Sequence, residues 1–122
     1  MDIGTGLPQG FSTNSAAPLP LFAHPSEKDF ADLLSFYEIE WLYEAVCFPL
    51  IRGPQGNVTE SFTPDFYLPE YSVFVEVTTA RQKLVTRKNR KIRLFRALYP
   101  ELSLVIIYKK HFQSLLLKLG LQ

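Results

Sequence analysis

Cysteine, methionine and tryptophan each occur once in the 122 residues, and acidic residues are missing altogether between Arg81 and Arg96. A single cysteine excludes a disulfide or a Cys-rich zinc site within the chain. Cys47 lies in a strand-like run, where the expectation is a small buried core residue. No apolar stretch approaches the ~20 residues that a membrane helix needs, so no membrane partner is expected. No Lys or Arg precedes a hydrophobic stretch at the N-terminus, which argues against a secretory leader and for a cytoplasmic location. Repeats, Gly-rich phosphate loops and zinc-finger spacings are lacking too, and His24 and His111 fall at no metal-ligand spacing.

What is present fits one globular domain with a sizeable core: 47% of residues are apolar and the two signs of charge nearly balance. The balance is uneven along the chain. Residues 1–80 hold 11 acidic and 2 basic residues, and residues 81–122 hold 11 basic and 1 acidic. Such asymmetry implies a polyanion partner for the second half and a metal or basic partner for the first, or pairing of the halves with each other.

The pattern predicts an irregular Pro- and Gly-rich arm over residues 1–24, packing through Leu19, Leu21 and Phe22, then one domain over 25–122. Ser26, with Asp29 three residues on, reads as the start of a helix with an apolar stripe of Phe30, Leu33, Leu34 and Tyr37. A strand from Ile39 to Ile51 follows, then the turn GPQGN and a second strand from Val58 to Tyr67, bent at Pro64. After LPEY, a third strand runs from Tyr71 to Thr79, completing an antiparallel meander. A basic helix covers Gln82 to Tyr99, with an apolar stripe of Leu84, Ile92, Phe95, Leu98 and Tyr99, and stops at Pro100. LSLVIIY reads as a strand buried on both faces, and a short helix ends at Gly120.

Two acids are out of place in FTPDFYLPEYSVFVEVTTARQK. Glu76 sits inside an apolar strand, on the face shared with Phe74 and Thr78, opposite Val73, Val75 and Val77. Asp65 precedes it by 11 residues, across a turn, so a bent hairpin brings the two carboxylates together. Close carboxylates repel unless a cation lies between them. A hard divalent ion such as Mg²⁺ or Mn²⁺ meets that need with one or two carboxylates and phosphate oxygens. Each acid also has an ordinary reading, as a turn-capping Asp and as an edge-strand Glu.

Pro64-Asp65, ten residues, then Glu76-Val77-Thr78 resembles the signature of the PD-(D/E)XK nuclease superfamily, the restriction-endonuclease-like fold. The order α-β-β-β-α-β read above is that family's core order, giving an α/β (α+β) class with a mixed central sheet over residues 26–108. The resemblance implies that Asp65 and Glu76 ligate metal, with the Val77 carbonyl as a third oxygen. It also implies a further carboxylate from the first helix, for which Glu27 is the candidate; an acid there also suits the helix dipole. Glu44 is a more distant candidate. The sequence departs from the family at Thr78, where the motif has lysine. Relatives move this lysine to the following helix. With Leu84 at 0°, Lys88 falls at about 40° and Lys91 at about 340°, inside the apolar stripe. Lys88 is therefore the first candidate for the displaced lysine and Lys83 the second.

Eight basic residues fall within 81–96 with no acid among them. A solvated helix would interleave glutamates, so phosphate is the natural partner. Arg81, Gln82, Arg87, Arg90, Lys91 and Arg93 are the expected nucleic-acid contacts. The alternative compensation is internal, from Glu38, Glu40 and Glu60. The reading is a Mg²⁺-dependent endonuclease-like domain hydrolysing DNA, with DNA favoured over RNA and structure favoured over sequence. Two alternatives stand beside it. One is a catalytically silent nucleic-acid-binding module of the same fold, and the other a protein-interaction domain using the basic helix. A homodimer is compatible with it, with Tyr67 and Tyr71 as exposed interface aromatics.

Overall fold

A computed structural model describes residues 20–78 and 85–120. Within them the chain is α+β, with three α-helices and two sheets. Helix α1 (Pro25–Phe36) leads into strands β1 (Leu42–Tyr43), β2 (Phe48–Arg52), β3 (Val58–Phe62), β4 (Phe66–Leu68) and β5 (Val73–Thr78). Helix α2 (Val85–Leu98), strand β6 (Ser103–Tyr108), a 3-10 turn (Lys109–His111) and helix α3 (Phe112–Lys118) complete the order.

The main sheet runs β1-β4-β5-β6, antiparallel except for the parallel pair β5/β6. Strands β2 and β3 form a separate two-stranded sheet. The two strands expected over 39–51 and 58–67 are thus each divided. Pro64 lies at the second break, as its missing N–H demands. The first break falls at Glu44, whose φ of 49° turns the chain out of one sheet toward the other. That left-handed conformation is costly for a residue with a Cβ, and the Glu44 N–H, bonded to the Asp65 carbonyl at 2.9 Å, fixes it.

Strand alternation sorts the core into two layers. Phe66, Leu68, Val73, Val75, Val77 and Ile107 face α1 and α3. Tyr67, Phe74 and Leu104 face α2 and the β2/β3 sheet, where Phe95, Ile92, Phe48 and Phe62 close over them. The two layers share the main sheet, so each helix buries one stripe and exposes the other. Gly120, at φ 82°, ends α3 in the conformation glycine adopts most readily.

Five local expectations are corrected. Strand β6, expected to be buried on both faces, lies at the edge of the main sheet, and only its Leu104 and Ile107 are buried. The cap of α1 is His24, not Ser26: its Nδ1 accepts the Ser26 N–H at 3.1 Å, while Pro25 opens the helix without needing a partner for its nitrogen. Cys47 is exposed, because the strand expected to bury it breaks before β2. Tyr67 is only 2% exposed, since its position on β4 alternates into the α2 layer, so it cannot serve an outer interface. Leu21 is 97% exposed. Only Phe22 of the described arm packs, its ring 4.8 Å from that of Tyr43. Leu19 lies outside the described residues.

Candidate functional site

The β4/β5 register decides the geometry. Phe66 pairs with Val75, Tyr67 with Phe74 and Leu68 with Val73. One step further along the same register, Asp65 stands opposite Glu76, on the face turned toward α2. The 68–73 turn sets this register: the Tyr71 N–H closes onto the Leu68 carbonyl at 3.1 Å, and Ser72 takes a φ of 52°. A one-residue slip would send both acids into opposite layers.

Each acid is tied to the backbone beside the other. The Asp65 N–H donates to Glu76 Oε1 at 3.1 Å, and the Val77 N–H donates to Asp65 Oδ2 at 2.8 Å. Both residues are buried, at 7% and 5% exposure. Lys88 reaches in from the first turn of α2. Its ammonium lies 2.9 Å from Glu76 Oε2 and donates to the Val77 carbonyl at 3.2 Å. The lysine stem crosses apolar surface while its head meets polar atoms, which accounts for a cation in an apolar stripe.

Glu27, in the first turn of α1, is 7% exposed. Its Oε1 accepts the Tyr43 hydroxyl at 2.5 Å and the Ala23 N–H at 3.3 Å. Burial first, and then the Glu27 bond, keep the Tyr43 phenol protonated far above its usual range. Glu27 also raises Asp65 and Glu76 through its charge, so it belongs to the same electrostatic cluster. Tyr43 was not singled out from the sequence. The available signal was a tyrosine in a strand next to Asp65's partner bend, whose hydroxyl needs a buried acceptor. Glu44, by contrast, is exposed; its N–H bonds the Asp65 carbonyl, and its charge acts on Tyr43 as the smallest of the causes that raise that phenol.

The cluster is electrostatically unfinished. Burial, and then the carboxylates of Glu76 and Glu27, push the Asp65 carboxyl up to about 8. Burial likewise raises Glu76, opposed chiefly by the Lys88 ammonium. Ionised, three carboxylates against one ammonium would leave two uncompensated negative charges in a largely dry site. Among the described residues, no three His, Cys, Asp or Glu side chains converge as a ready metal-ligand set. The available donors are two carboxylates and the Val77 carbonyl. This all-oxygen, charge-deficient set fits a Mg²⁺-type ion that keeps several waters.

On α2, Ile92 and Phe95 are buried while Arg87, Arg90 and Arg93 are exposed. Lys91 is half-buried. Arg90 is paired with Glu60, one of the acids expected to compensate the helix from within. Arg96 donates to the Leu104 carbonyl at 2.8 Å and so ties α2 to β6. Arg81, Gln82 and Lys83 lie outside the described residues. Among the described residues no helix is long and apolar enough to cross a membrane. Set against known proteins, the chain matches no family model, no curated protein and no solved structure.

Proposed function

We propose that this chain is a metal-dependent phosphodiester hydrolase of the PD-(D/E)XK kind, with a restriction-endonuclease-like core, acting on DNA. The observation that carries this reading is the Lys88 ammonium, 2.9 Å from Glu76 Oε2. It supplies from α2 the cation that Thr78 cannot supply from β5. Asp65, Glu76 and the Val77 carbonyl would hold a Mg²⁺ or Mn²⁺ ion. When bound, such an ion neutralises phosphate charge and lowers the pKa of water. The chain's own residues do the rest. Lys88 holds positive charge beside the phosphate, where negative charge develops during displacement. Glu27, held by Tyr43, adds negative potential that strengthens cation binding. Arg87 and Arg93 face outward from α2 to meet backbone phosphates, which position a substrate without reading its bases.

The test is cleavage of single-stranded, duplex, nicked and branched DNA in Mg²⁺ or Mn²⁺. Asp65→Asn and Glu76→Gln should each abolish it, and Lys88→Met should lower it by about 10²-fold or more. Cleavage surviving all three substitutions would sink the reading.

A second reading is a silent DNA-binding module of the same fold. It is favoured by the bonds of Lys88 to two of the three candidate donors, Glu76 and the Val77 carbonyl, which can serve as a permanent internal counterion. DNA binding without cleavage in any divalent metal would select it.

A further inference from the structure

Beside the acidic cluster, at the carboxyl ends of the parallel strands β5 and β6, lies a cavity of about 370 Å³. Thr78 and Tyr108, paired in register, line it together with His24, Pro25, Ser26 and Asp29 from the start of α1. The volume lies at the small end of the range for small-molecule sites, about 300–1,000 Å³.

The lining is divided in character. Pro25 and Tyr108 bring apolar groups to it, and the Tyr108 ring lies edge-on to His111, centroids 6.0 Å apart. Lys109 and Lys110 bring charge to the same lining. Asp29 engages Lys109 at 2.7 Å. Lys110 is exposed and has no carboxylate partner among the described residues. His24 Nδ1 accepts the Ser26 N–H at 3.1 Å.

We propose that this cavity receives one unpaired nucleotide of the substrate strand, its base against Tyr108 and Pro25 and its phosphate on Lys110. This rests on the nuclease reading for its meaning, though not for its detection. The cavity adjoins the acidic cluster on two elements. Ser26, part of its lining, precedes Glu27, and Thr78 lies two residues beyond Glu76, about 7 Å along the strand. A nucleotide seated there would be a near neighbour of a phosphate held beside Lys88, whose ammonium lies 2.9 Å from Glu76 Oε2. An aromatic wall tolerates any base, because every base has a π-face. The substrate class that follows is DNA with an unpaired end, flap or gap, since a base locked in a duplex cannot enter.

The experiment is a titration of the full chain in EDTA, so that no cleavage intervenes, followed by backbone amide chemical shifts. The probes are dAMP, deoxyadenosine, inorganic phosphate, a blunt duplex and the same duplex with a single-stranded overhang. Saturable shifts of Ser26, Thr78, Tyr108 and Lys110 are expected with dAMP and with the overhang. Lys110→Ala and Tyr108→Leu should each weaken dAMP about tenfold. Lys110 is exposed, so the first of these variants should fold normally. Three results would overturn the proposal: no shift of these amides, shifts confined to α2, or inorganic phosphate acting as strongly as dAMP. The two readings separate cleanly. Binding of dAMP here without metal-dependent cleavage would uphold the pocket and discard the nuclease. Cleavage lost on Asp65→Asn, with no dAMP binding here, would do the reverse.

Discussion

An aspartate in water titrates near 3.8, whereas burial and two neighbouring carboxylates hold Asp65 protonated up to about 8. The folded state therefore binds more protons than the unfolded state between these values. By linkage its stability falls as pH rises from about 4 to 8. Glu76, raised in the same direction, adds to this slope. In EDTA, urea midpoints should decline across this range, and Asp65→Asn should flatten the decline. Millimolar Mg²⁺ should recover wild-type stability at pH 8 and leave Asp65→Asn almost unchanged. Lys88 presents the complementary case. Its loss strands a Glu76 side chain that is 6% exposed, but Lys88 itself is 31% exposed, so solvent screens part of the cost. Lys88→Met should therefore cost about 2 kcal/mol, below the full penalty for breaking a buried pair. Lys88→Met with Glu76→Gln should recover most of that loss in the same urea assay.

Helix α2 shows which contacts hold an element and which only decorate it. Phe95 is 0% exposed and packs on Phe48, Phe62 and Tyr99 with ring centroids 5.0–5.4 Å apart. Phe95→Ala should cost about 3–5 kcal/mol in thermal or urea unfolding. The Arg90–Glu60 pair lies on partly exposed side chains, so Glu60→Gln should cost under about 1 kcal/mol. The helix was also the element the sequence described best. A 3.6-residue period placed Ile92, Phe95 and Leu98 inward with Lys88 on their side; Ile92 and Phe95 are buried but Leu98, at the helix end, is 50% exposed. Hairpin spacing placed Asp65 near Glu76. The strand breaks were harder. A long apolar run such as Ile39–Ile51 is consistent with burial anywhere, and it does not say that residues 42–43 and 48–52 join different sheets. The exposure of Cys47 and the burial of Tyr67 follow from those breaks. The His24 cap was hidden because histidine is an uncommon cap beside a serine that is a common one. Glu27's partner Tyr43 comes from a distant element, and the one-sequence pattern carries no such pairing.

At the scale of the whole molecule, charge is segregated along the chain but interleaved in space. The acidic first half supplies the carboxylate cluster and two further partners for the second half, Glu60 for Arg90 and Asp29 for Lys109, while α2 keeps Arg87 and Arg93 exposed. On the proposed function, binding to DNA should thus be strongly salt-dependent, with log Kd linear in log salt. Arg87→Ala and Arg93→Ala should each reduce that slope by about 1 and weaken all sequences alike. Equal slopes for wild type and both variants, in fluorescence anisotropy across a salt series, would place the DNA contact elsewhere on the chain.

The reciprocal backbone bonds of Asp65 and Glu76 also govern how substitutions at this site combine. Because each side chain anchors the strand that carries the other, truncating one unlatches both, and the pair behaves as a single hinge pin with two ends. Asp65→Ala and Glu76→Ala should then be strongly non-additive: the double variant should lose little more stability or cation affinity than the worse single one. A thermodynamic cycle between them would accordingly measure the latch, and an alanine scan read residue by residue would count it twice.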